Sequence, residues 1–232
     1  MARFGIVGPT YTAQSPQFAC EQAINVYCEP AETQNGGKGD SKMMLVKIPG
    51  LAVTHTLPYG PVRCLYSGDG LRTFCVSGST LYELLAAGAY TVVGAVGPGN
   101  YTGQPAQIFS NGTQLFIVSG SDGYIADGVN VTKVVDCCMG GYIDGYFLAL
   151  EGTYPGDSKT FRISNLLDGN VWDILDFANV DQTPDNVAAM IVDHNQLMFF
   201  KQQTSIGYWN SGDVDFPLVP IQGSSVEQGC IA

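Results

Sequence analysis

Five aspartates crowd into residues 168–185, and closely spaced carboxylates can hydrolyse glycosidic bonds. One carboxyl group would then act as the acid and a second as the nucleophile or base. Alternating oxygen ligands could instead bind calcium, in this segment or at Asp213-Val214-Asp215, but no Glu closes either site as a calcium loop requires. We therefore interpret these carboxylates as turn formers. The five aspartates are Asp168, Asp173, Asp176, Asp181 and Asp185.

The run from Asp168 to Trp172 has a second interpretation. It superficially resembles the aspartate-box turn of sialidase-type propellers, in which one residue separates Asp from Gly, but Gly169 follows Asp168 directly. The simpler interpretation is a turn between two strands, with Trp172 packed between neighbouring blades. Seven cysteines without Cys-x-x-Cys spacing and two histidines offer no zinc motif. We expect no catalytic residue, no cofactor and no metal, and hence no enzymatic activity.

The net charge of −11 bears on any contact with nucleic acid. The ten Lys and Arg residues are scattered, and none cluster beyond the stretch from Lys38 to Lys47. A protein that grips phosphates needs a basic patch, because counterion release supplies most non-specific affinity. We therefore expect the protein to repel DNA or merely to confine it.

Four short turn signals, each between two apolar segments, organise the chain. Asn-Gly and Asp-Gly pairs tolerate the positive φ angles that a two-residue hairpin needs. They recur at intervals of roughly 30 to 50 residues, and a second Gly-bearing turn follows each one, as in four-stranded propeller blades. We predict an all-β, β-propeller-like fold with about four visible blades, which could belong to a larger propeller; an irregular β-sandwich is the alternative. The turns are Asp69-Gly70, Asn111-Gly112, Asp144-Gly145 and His194-Asn195.

Each predicted blade contains four antiparallel strands. Their ranges are 61–67, 71–77, 80–85 and 90–96 in blade one; 104–110, 113–119, 123–126 and 131–135 in blade two; 138–143, 146–151, 160–164 and 171–175 in blade three; and 187–192, 196–201, 205–209 and 216–221 in blade four. Two-residue turns also fix the register, because they set which residues lie opposite one another. The expected opposite pairs are Cys64 with Cys75 (as free thiols), Tyr142 with Phe147, Met139 with Leu150, Val192 with Leu197, and Met190 with Phe199.

Residues 1–58 do not follow the repeat. We predict an N-terminal extension there, with Met43–Val46 as a short apolar strand that could close the ring, and propeller blades over residues 59–232.

A series of motifs along the chain resembles the packaged-DNA stabilization proteins of short-tailed phages. Each motif alone is weak, but the ordered set is specific and extends from Ile24 over nearly the whole chain. The motifs are Ile24-Asn25-Val26-Tyr27, Pro49-Gly50-Leu51, Gly60-Pro61-Val62-Arg63, Val76-Ser77-Gly78, Leu81-Tyr82-Glu83, Asp122-Gly123-Tyr124, Ile163-Ser164-Asn165-Leu166, Asp168-Gly169, Leu175-Asp176-Phe177-Ala178, Pro184-Asp185-Asn186, Asp193-His194, Tyr208-Trp209-Asn210-Ser211-Gly212, Asp215-Phe216-Pro217, Ile221-Gln222-Gly223 and Glu227-Gln228-Gly229-Cys230.

This resemblance implies a structural virion protein of the tail hub or nozzle, which closes the tail channel and retains packaged DNA. It also implies a homo-oligomeric ring, six-fold by resemblance, with portal and adaptor proteins above it and tail needle, fibre or spike proteins as further partners. Assembly would take place in the cytoplasm of the bacterial host, and the product would reside in the virion tail. In the family, the Gln-Gly-Cys element begins a further propeller section, so we expect this chain to be truncated at its C-terminus.

Two other functions remain open at this point. The first is a glycan- or receptor-binding propeller, which would need aromatic and carboxylate side chains that converge at one loop end. The second is a glycosidase. For a hub, exposed aromatic patches would mark ring contacts. Tyr208 and Trp209 form the candidate patch, and the competing interpretation is that Trp209 is buried between blades.

Overall fold

The computed structural model describes residues 26–30, 43–47, 50–68, 72–97, 104–128, 130–153, 156–181 and 183–230. The chain forms two compact units, Met1–Val53 and Thr54–Ala232. In the first unit, β1 (Val26–Pro30) pairs antiparallel with β2 (Met43–Lys47), which contains the apolar strand expected at Met43–Val46. The ring-closing role of residues 1–58 stays a prediction.

The second unit consists of four four-stranded antiparallel sheets, each a meander in chain order. Blade one contains β3 (Val62–Ser67), β4 (Thr73–Ser77), β5 (Thr80–Leu84) and β6 (Tyr90–Ala95); blade two contains β7 (Ala106–Ser110), β8 (Leu115–Ser119), β9 (Asp122–Ala126) and β10 (Val131–Asp136); blade three contains β11 (Met139–Ile143), β12 (Tyr146–Leu150), β13 (Thr160–Ile163) and β14 (Phe177–Asn179); and blade four contains β15 (Val187–Asp193), β16 (Gln196–Lys201), β17 (Ser205–Asn210) and β18 (Leu218–Pro220). The described part of the chain has no helix with the length and apolarity needed to cross a bilayer.

The four sheets stack in chain order through apolar side chains. The first strands contact one another in series, β3 with β7, β7 with β11, and β11 with β15. A separate cluster of buried side chains fills each space between consecutive blades, centred on Leu81 and Ile117, on Phe116 and Phe147, and on Phe161 and Phe199. Because both sides of these inner strands are covered, their sequences are nearly continuous apolar runs. The predicted all-β propeller fold is confirmed.

Two of the predicted hairpin turns have the expected length and register. Asp144 and Gly145 adopt φ angles of 47° and 94°, and His194 and Asn195 adopt 46° and 58°, so each pair forms a turn with two positive φ angles. The flanking strands pair as expected, with Tyr142 opposite Phe147, Met139 opposite Leu150, Val192 opposite Leu197, and Met190 opposite Phe199.

The predicted register at the first hairpin is wrong by one residue. Asp69-Gly70 lies outside the described residues, but Ser67 pairs with Thr73 and Cys64 pairs with Val76, not with Cys75. The connection is therefore longer than two residues, and a bulge at Arg63 takes up the extra residue. The guanidinium of Arg63 donates to Ser119 Oγ of blade two at 2.9 Å. Cys64, Cys75, Cys137, Cys138 and Cys230 are free thiols, and burial raises the pKa of Cys75.

Asn111-Gly112 was predicted as a two-residue turn, and this too is wrong. Ser110 pairs with Leu115, so the loop has four residues. The side-chain Oδ1 of Asn111 accepts hydrogen bonds from the backbone N–H groups of Thr113 at 2.9 Å and Gln114 at 2.7 Å. Asn side chains readily accept hydrogen bonds from the backbone of their own turn, and these bonds favour the four-residue loop over the two-residue hairpin.

The fourth strand of blade three is also misplaced by the sequence analysis. The predicted strand 171–175 belongs instead to a long connection, residues 164–176, and β14 begins at Phe177. In the other three blades the predicted and observed fourth strands overlap.

Candidate interaction surface

The connection between β13 and β14, residues 164–176, lies at the hairpin-turn end of blade three. In a meander, the turn between the first and second strands and the turn between the third and fourth strands lie at the same end of the sheet. This connection therefore shares its end with the two-residue turn at Asp144-Gly145. Leu166 and Leu167 lie directly against Gly145, and the N–H of Leu167 donates to the Gly145 carbonyl at 2.7 Å.

Hydrogen bonds from blade two hold this connection in place. The Gln114 amide donates to Asp168 Oδ1 at 3.1 Å and accepts from the Gly169 N–H at 2.8 Å. The amide of Asn111 donates to the Leu167 carbonyl at 3.2 Å. The four-residue loop of blade two thus links the two blades, a role that its sequence did not indicate.

Trp172 packs between blades two and three, as its position in the sequence suggested. Its ring centroid lies 5.5 Å from that of Phe116, and its indole N–H donates to the Gly169 carbonyl at 2.7 Å. The Asp168 carboxylate accepts the Asn170 N–H, and this bond, followed by the bond from Gln114, holds the pKa of Asp168 below its ordinary value. The carboxylate therefore fixes a turn, which agrees with the structural interpretation of the run from Asp168 to Trp172.

Replacing Gly169 with Ala tests this packing. A Cβ at this position would meet Ile125 Cδ1 and would lie 2.8 Å from Phe147 Cδ2. Because both contacts are in a close-packed region, we expect a loss of about 1–3 kcal/mol in the free energy of unfolding, measured by urea denaturation. Asn170→Ala, at the exposed neighbouring position, is the control and should change stability by less than about 0.5 kcal/mol. Equal stability of Gly169→Ala and wild type would contradict the close approach.

The same connection carries an unusual number of exposed apolar side chains. Ile174 is 74% exposed and Leu175 is 77% exposed. Large apolar groups concentrated on a surface mark contact sites more often than scattered ones do. We name this set of side chains the blade-three surface; it comprises Leu166, Leu167, Val171, Ile174, Leu175 and Phe177.

Acidic residues are concentrated in the loops at this end of blades three and four. From residue 137 to the end, the sequence contains twelve Asp and Glu residues but three Lys and Arg residues, so most of the net charge of −11 belongs to blades three and four. Two of the three cations are already paired, Arg162 with Glu151 and Lys201 with Asp185. The result is an apolar surface in a strongly negative environment. The carboxylates at this end of the two blades are Asp144, Asp168, Asp173, Asp176, Asp193, Asp213 and Asp215.

Some of these carboxylates accept hydrogen bonds from backbone N–H groups two residues further along the chain. Asp173 accepts the N–H of Leu175 at 2.9 Å, and Asp213 accepts the N–H of Asp215 at 3.2 Å. Burial, followed by the charge of Asp173, raises the pKa of Asp176. Within the described ranges, no three His, Cys, Asp or Glu side chains are grouped as a metal site would require.

A cleft of about 250 Å³ opens between blades one and two at the corresponding end. Tyr66, Arg72, Phe74 and Glu83 contribute to its lining. The Arg72 guanidinium lies 4.9 Å from the centre of the Phe74 ring and binds both oxygens of Glu83, at 2.7 and 2.9 Å. The hydrogen bond from Arg72 lowers the pKa of Glu83. Aromatic and charged groups therefore converge here.

The candidate aromatic pair Tyr208-Trp209 is divided between the two sides of blade four. Tyr208 is buried against Phe161 and Phe199, whereas Trp209 is 47% exposed on the opposite side of the sheet. The two side chains therefore do not form one patch.

The model of the phage stabilisation family, described as bacteriophage P22 Gp10, beta-propeller, matches residues 4–232. The chain belongs to this family. The family is therefore one of phage structural proteins, and the four sheets described above are blades of its propeller. No curated protein matches the chain.

Solved structures to which the chain is similar include two of distant sequence. One is a catalytically inactive variant of virginiamycin B lyase from Staphylococcus aureus with quinupristin, at 10% identity and a TM-score of 0.47, covering 79% of this chain and 60% of that one. The other is the N-terminal domain of Nup159, at 11% identity and a TM-score of 0.44, covering 82% of this chain and 51% of that domain. The chain thus spans about half to three fifths of their lengths.

Proposed function

We propose that this phage structural protein is a subunit of the tail hub or nozzle, where it closes the tail channel and retains the packaged genome. Membership of the phage stabilisation family, over residues 4–232, is the observation that carries the proposal. In this proposal the subunits form a homo-oligomeric ring with six-fold symmetry. The ring contacts portal and adaptor proteins on one side and needle, fibre or spike proteins on the other.

The charge distribution supports retention by obstruction over retention by binding. With a net charge of −11, concentrated in blades three and four, the surface repels phosphates. A channel with this sign of charge confines DNA and later lets it slide out without adhering. The blade-three surface is apolar, and carboxylates lie at the same end of the blade. It is therefore suited to contact with another tail protein and would be a poor contact for nucleic acid.

Virions that lack the protein test the proposal. We expect them to package DNA and then to lose it, with the portal intact, because nothing closes the channel. Nuclease sensitivity of the packaged DNA measures the loss, and supplying the wild-type gene in trans is the control. Full retention of DNA in virions without the protein would contradict the proposal.

DNA binding by the purified protein separates a plug from a clamp. We expect no binding to duplex DNA at physiological salt, measured by fluorescence anisotropy, because the net charge is −11 and the Lys and Arg residues are scattered along the sequence. Tight binding that weakens steeply as salt rises would instead indicate a clamp that grips phosphates.

A glycan-binding propeller is a second candidate, favoured by the cleft between blades one and two. Tyr66, Arg72 and Glu83 offer an aromatic ring and a pair of opposite charges of the kind that hold a polar, ring-shaped ligand. A glycan array tests it, with Glu83→Ala as the matched variant. Binding that requires Glu83 would support this candidate, and an array without signal would exclude it for the glycans displayed.

A further inference from the structure

A groove of about 520 Å³ lies between the outer parts of blades two and three. On the side of blade two it is lined by Val134 and Val135 of β10. On the side of blade three it is lined by Arg162 of β13 and by Trp172 and Ile174 of the connection between β13 and β14. The groove adjoins the blade-three surface, because Ile174 belongs to both.

The outer strands of the two blades explain why the groove is open and apolar. β14 has three residues, whereas the outer strand of blade two, β10, has six, so the sheet of blade three does not extend far enough to cover β10. A bulge at Val134 interrupts the alternation of β10. Both Val134 and Val135 therefore pack against the buried cluster between blades two and three. They are half-buried, and their remaining surface forms an apolar wall.

Hydrogen bonds fix the opposite wall of the groove. Arg162 Nη1 donates to the Ile174 carbonyl at 3.0 Å, and the same guanidinium pairs with Glu151. The N–H of Leu175 donates to Asp173 Oδ1 at 2.9 Å. The Ile174 side chain is nevertheless 74% exposed. An apolar side chain held outward in this way is pre-organised for contact, because binding requires little further ordering of the backbone.

The charges beside the groove are unbalanced. Lys133 is already paired with Asp122 and Asp136 on the side of blade two. Among the described residues, no ion pair includes Asp173 or Asp176 of the connection. Burial, followed by the charge of Asp173, raises the pKa of Asp176, so the two carboxylates repel each other. A cation supplied by a partner would offset this repulsion.

We propose that this groove binds a partner protein through a segment that carries an apolar side chain next to Lys or Arg. The apolar side chain lies between Val135 and Ile174, and the cation pairs with Asp173 or Asp176. Charge complementarity selects this occupant, because a nucleic acid is repelled and an acidic segment leaves both carboxylates unpaired. The inference rests on the proposed function only for the expectation that the partner is another tail protein.

A library of random peptides displayed on yeast is the probe for this chemistry. Peptides are selected on the wild-type protein and counter-selected on Ile174→Ser/Asp176→Asn, which removes those that bind elsewhere. We expect the surviving peptides to combine an apolar residue with Lys or Arg. Survivors enriched in Asp or Glu, or a library without survivors, would overturn the proposal.

Fluorescence anisotropy of one selected, labelled peptide then measures each part of the site. Ile174→Ser should weaken binding by about tenfold, a typical loss for an apolar contact at the centre of an interface. Asp173→Asn/Asp176→Asn should weaken it by about the same factor and reduce its dependence on salt, because the amides keep the shape of the carboxylates without their charge. Urea denaturation checks that the variants are folded. Unchanged affinity in both would contradict the proposal.

The exposed loop of blade four provides matched controls. Val214 is 96% exposed, and Asp213 and Asp215 are exposed beside it. Val214→Ser and Asp213→Asn/Asp215→Asn therefore make the same kinds of change away from the groove, and they should bind the peptide like wild type. An equal loss of affinity in these controls would show that the peptide responds to the overall charge and composition of the surface, and the groove would be refuted.

A second copy of the chain is the alternative occupant. If wild type self-associates in sedimentation velocity and Ile174→Ser abolishes the association, the groove is an interface between copies and the proposal is wrong. The outcome is separable from that of the hub proposal. If no peptide is selected but DNA retention requires the protein, this site is refuted and the hub stands. If the peptides bind as expected but virions without the protein retain their DNA, the reverse holds.

Discussion

Replacing Phe199 with Ala is expected to lower the free energy of unfolding by about 3–5 kcal/mol. Phe199 is fully buried on the side of blade four that packs on blade three, and its ring centroid lies 4.9 Å from that of Phe161 and 5.3 Å from that of Tyr208. The truncation removes both aromatic contacts and leaves a cavity between blades three and four. Urea denaturation followed by tryptophan fluorescence measures the change.

Ile174→Ala is the control for this loss. Ile174 is an equally apolar residue on the blade-three surface, but it is mostly exposed, so its truncation should change stability by less than about 0.5 kcal/mol. A loss below about 1 kcal/mol for Phe199→Ala would mean that the space between blades three and four is not close-packed.

Replacing Lys201 with Met should destabilise the fold by a similar amount, about 3–5 kcal/mol. The Lys201 side chain is 1% exposed. Its ammonium group donates to the carbonyls of Val180 at 3.0 Å and Thr183 at 2.6 Å, and it lies 3.2 Å from the Asp185 carboxylate. Met retains the apolar stem but leaves the buried carboxylate without its cation. Thermal and urea unfolding of the variant measure the loss.

The double variant Lys201→Met/Asp185→Asn separates charge from packing. Because it removes both charges, it should recover part of the stability that Lys201→Met loses, and no recovery would show that the ion pair is not the cause. Arg72→Met provides the surface comparison. Its bridge to Glu83 is solvent-exposed, so its loss should cost less than about 1 kcal/mol.

Asp185 also makes the stability of the protein depend on pH in the acid range. Burial alone would raise the pKa of this carboxyl group, but hydrogen bonds from Thr183, the Gln203 N–H and Lys201 outweigh it and hold the pKa well below its ordinary value. A carboxyl group with a depressed folded-state pKa contributes stability above its unfolded value of about 4, and this contribution is lost as the pH falls below that value. Asp185→Asn should therefore flatten the acid limb of the stability curve between about pH 4 and pH 2.

The sequence was sufficient to predict the repeat of hairpins, because the conformation of a two-residue turn depends mainly on the turn residues themselves. Asp144-Gly145 and His194-Asn195 each fix a hairpin through their own backbone preferences, and the apolar runs on both sides need no distant partner to be recognised. At Asn111, by contrast, two loop lengths were compatible with the same residues. The choice depends on the Asn111 side chain, which closes the loop, and on Gln114, which binds blade three.

The blade-three surface could not be derived from the sequence because it depends on contacts between blades. The apolar residues from Val171 to Leu175 read as a strand, but the hydrogen bonds from Gln114 to Asp168 and Gly169 hold this part of the chain in a connection outside the sheet. A signal was nevertheless present, because the segment does not alternate apolar and polar residues as a half-exposed strand would. The sides occupied by Tyr208 and Trp209 follow from the pairing of β16 with β17, which the two-residue turn between β15 and β16 does not set.

Every strand pairing in the four blades joins strands that are consecutive in the chain. During synthesis, each sheet can therefore form as soon as its fourth strand has left the ribosome, without waiting for residues made later. The side of the sheet that packs on the following blade nevertheless stays uncovered until the next sheet appears. The nascent protein thus exposes one apolar sheet face after another, each for about the time needed to translate one blade. These faces would therefore be available to chaperones one at a time.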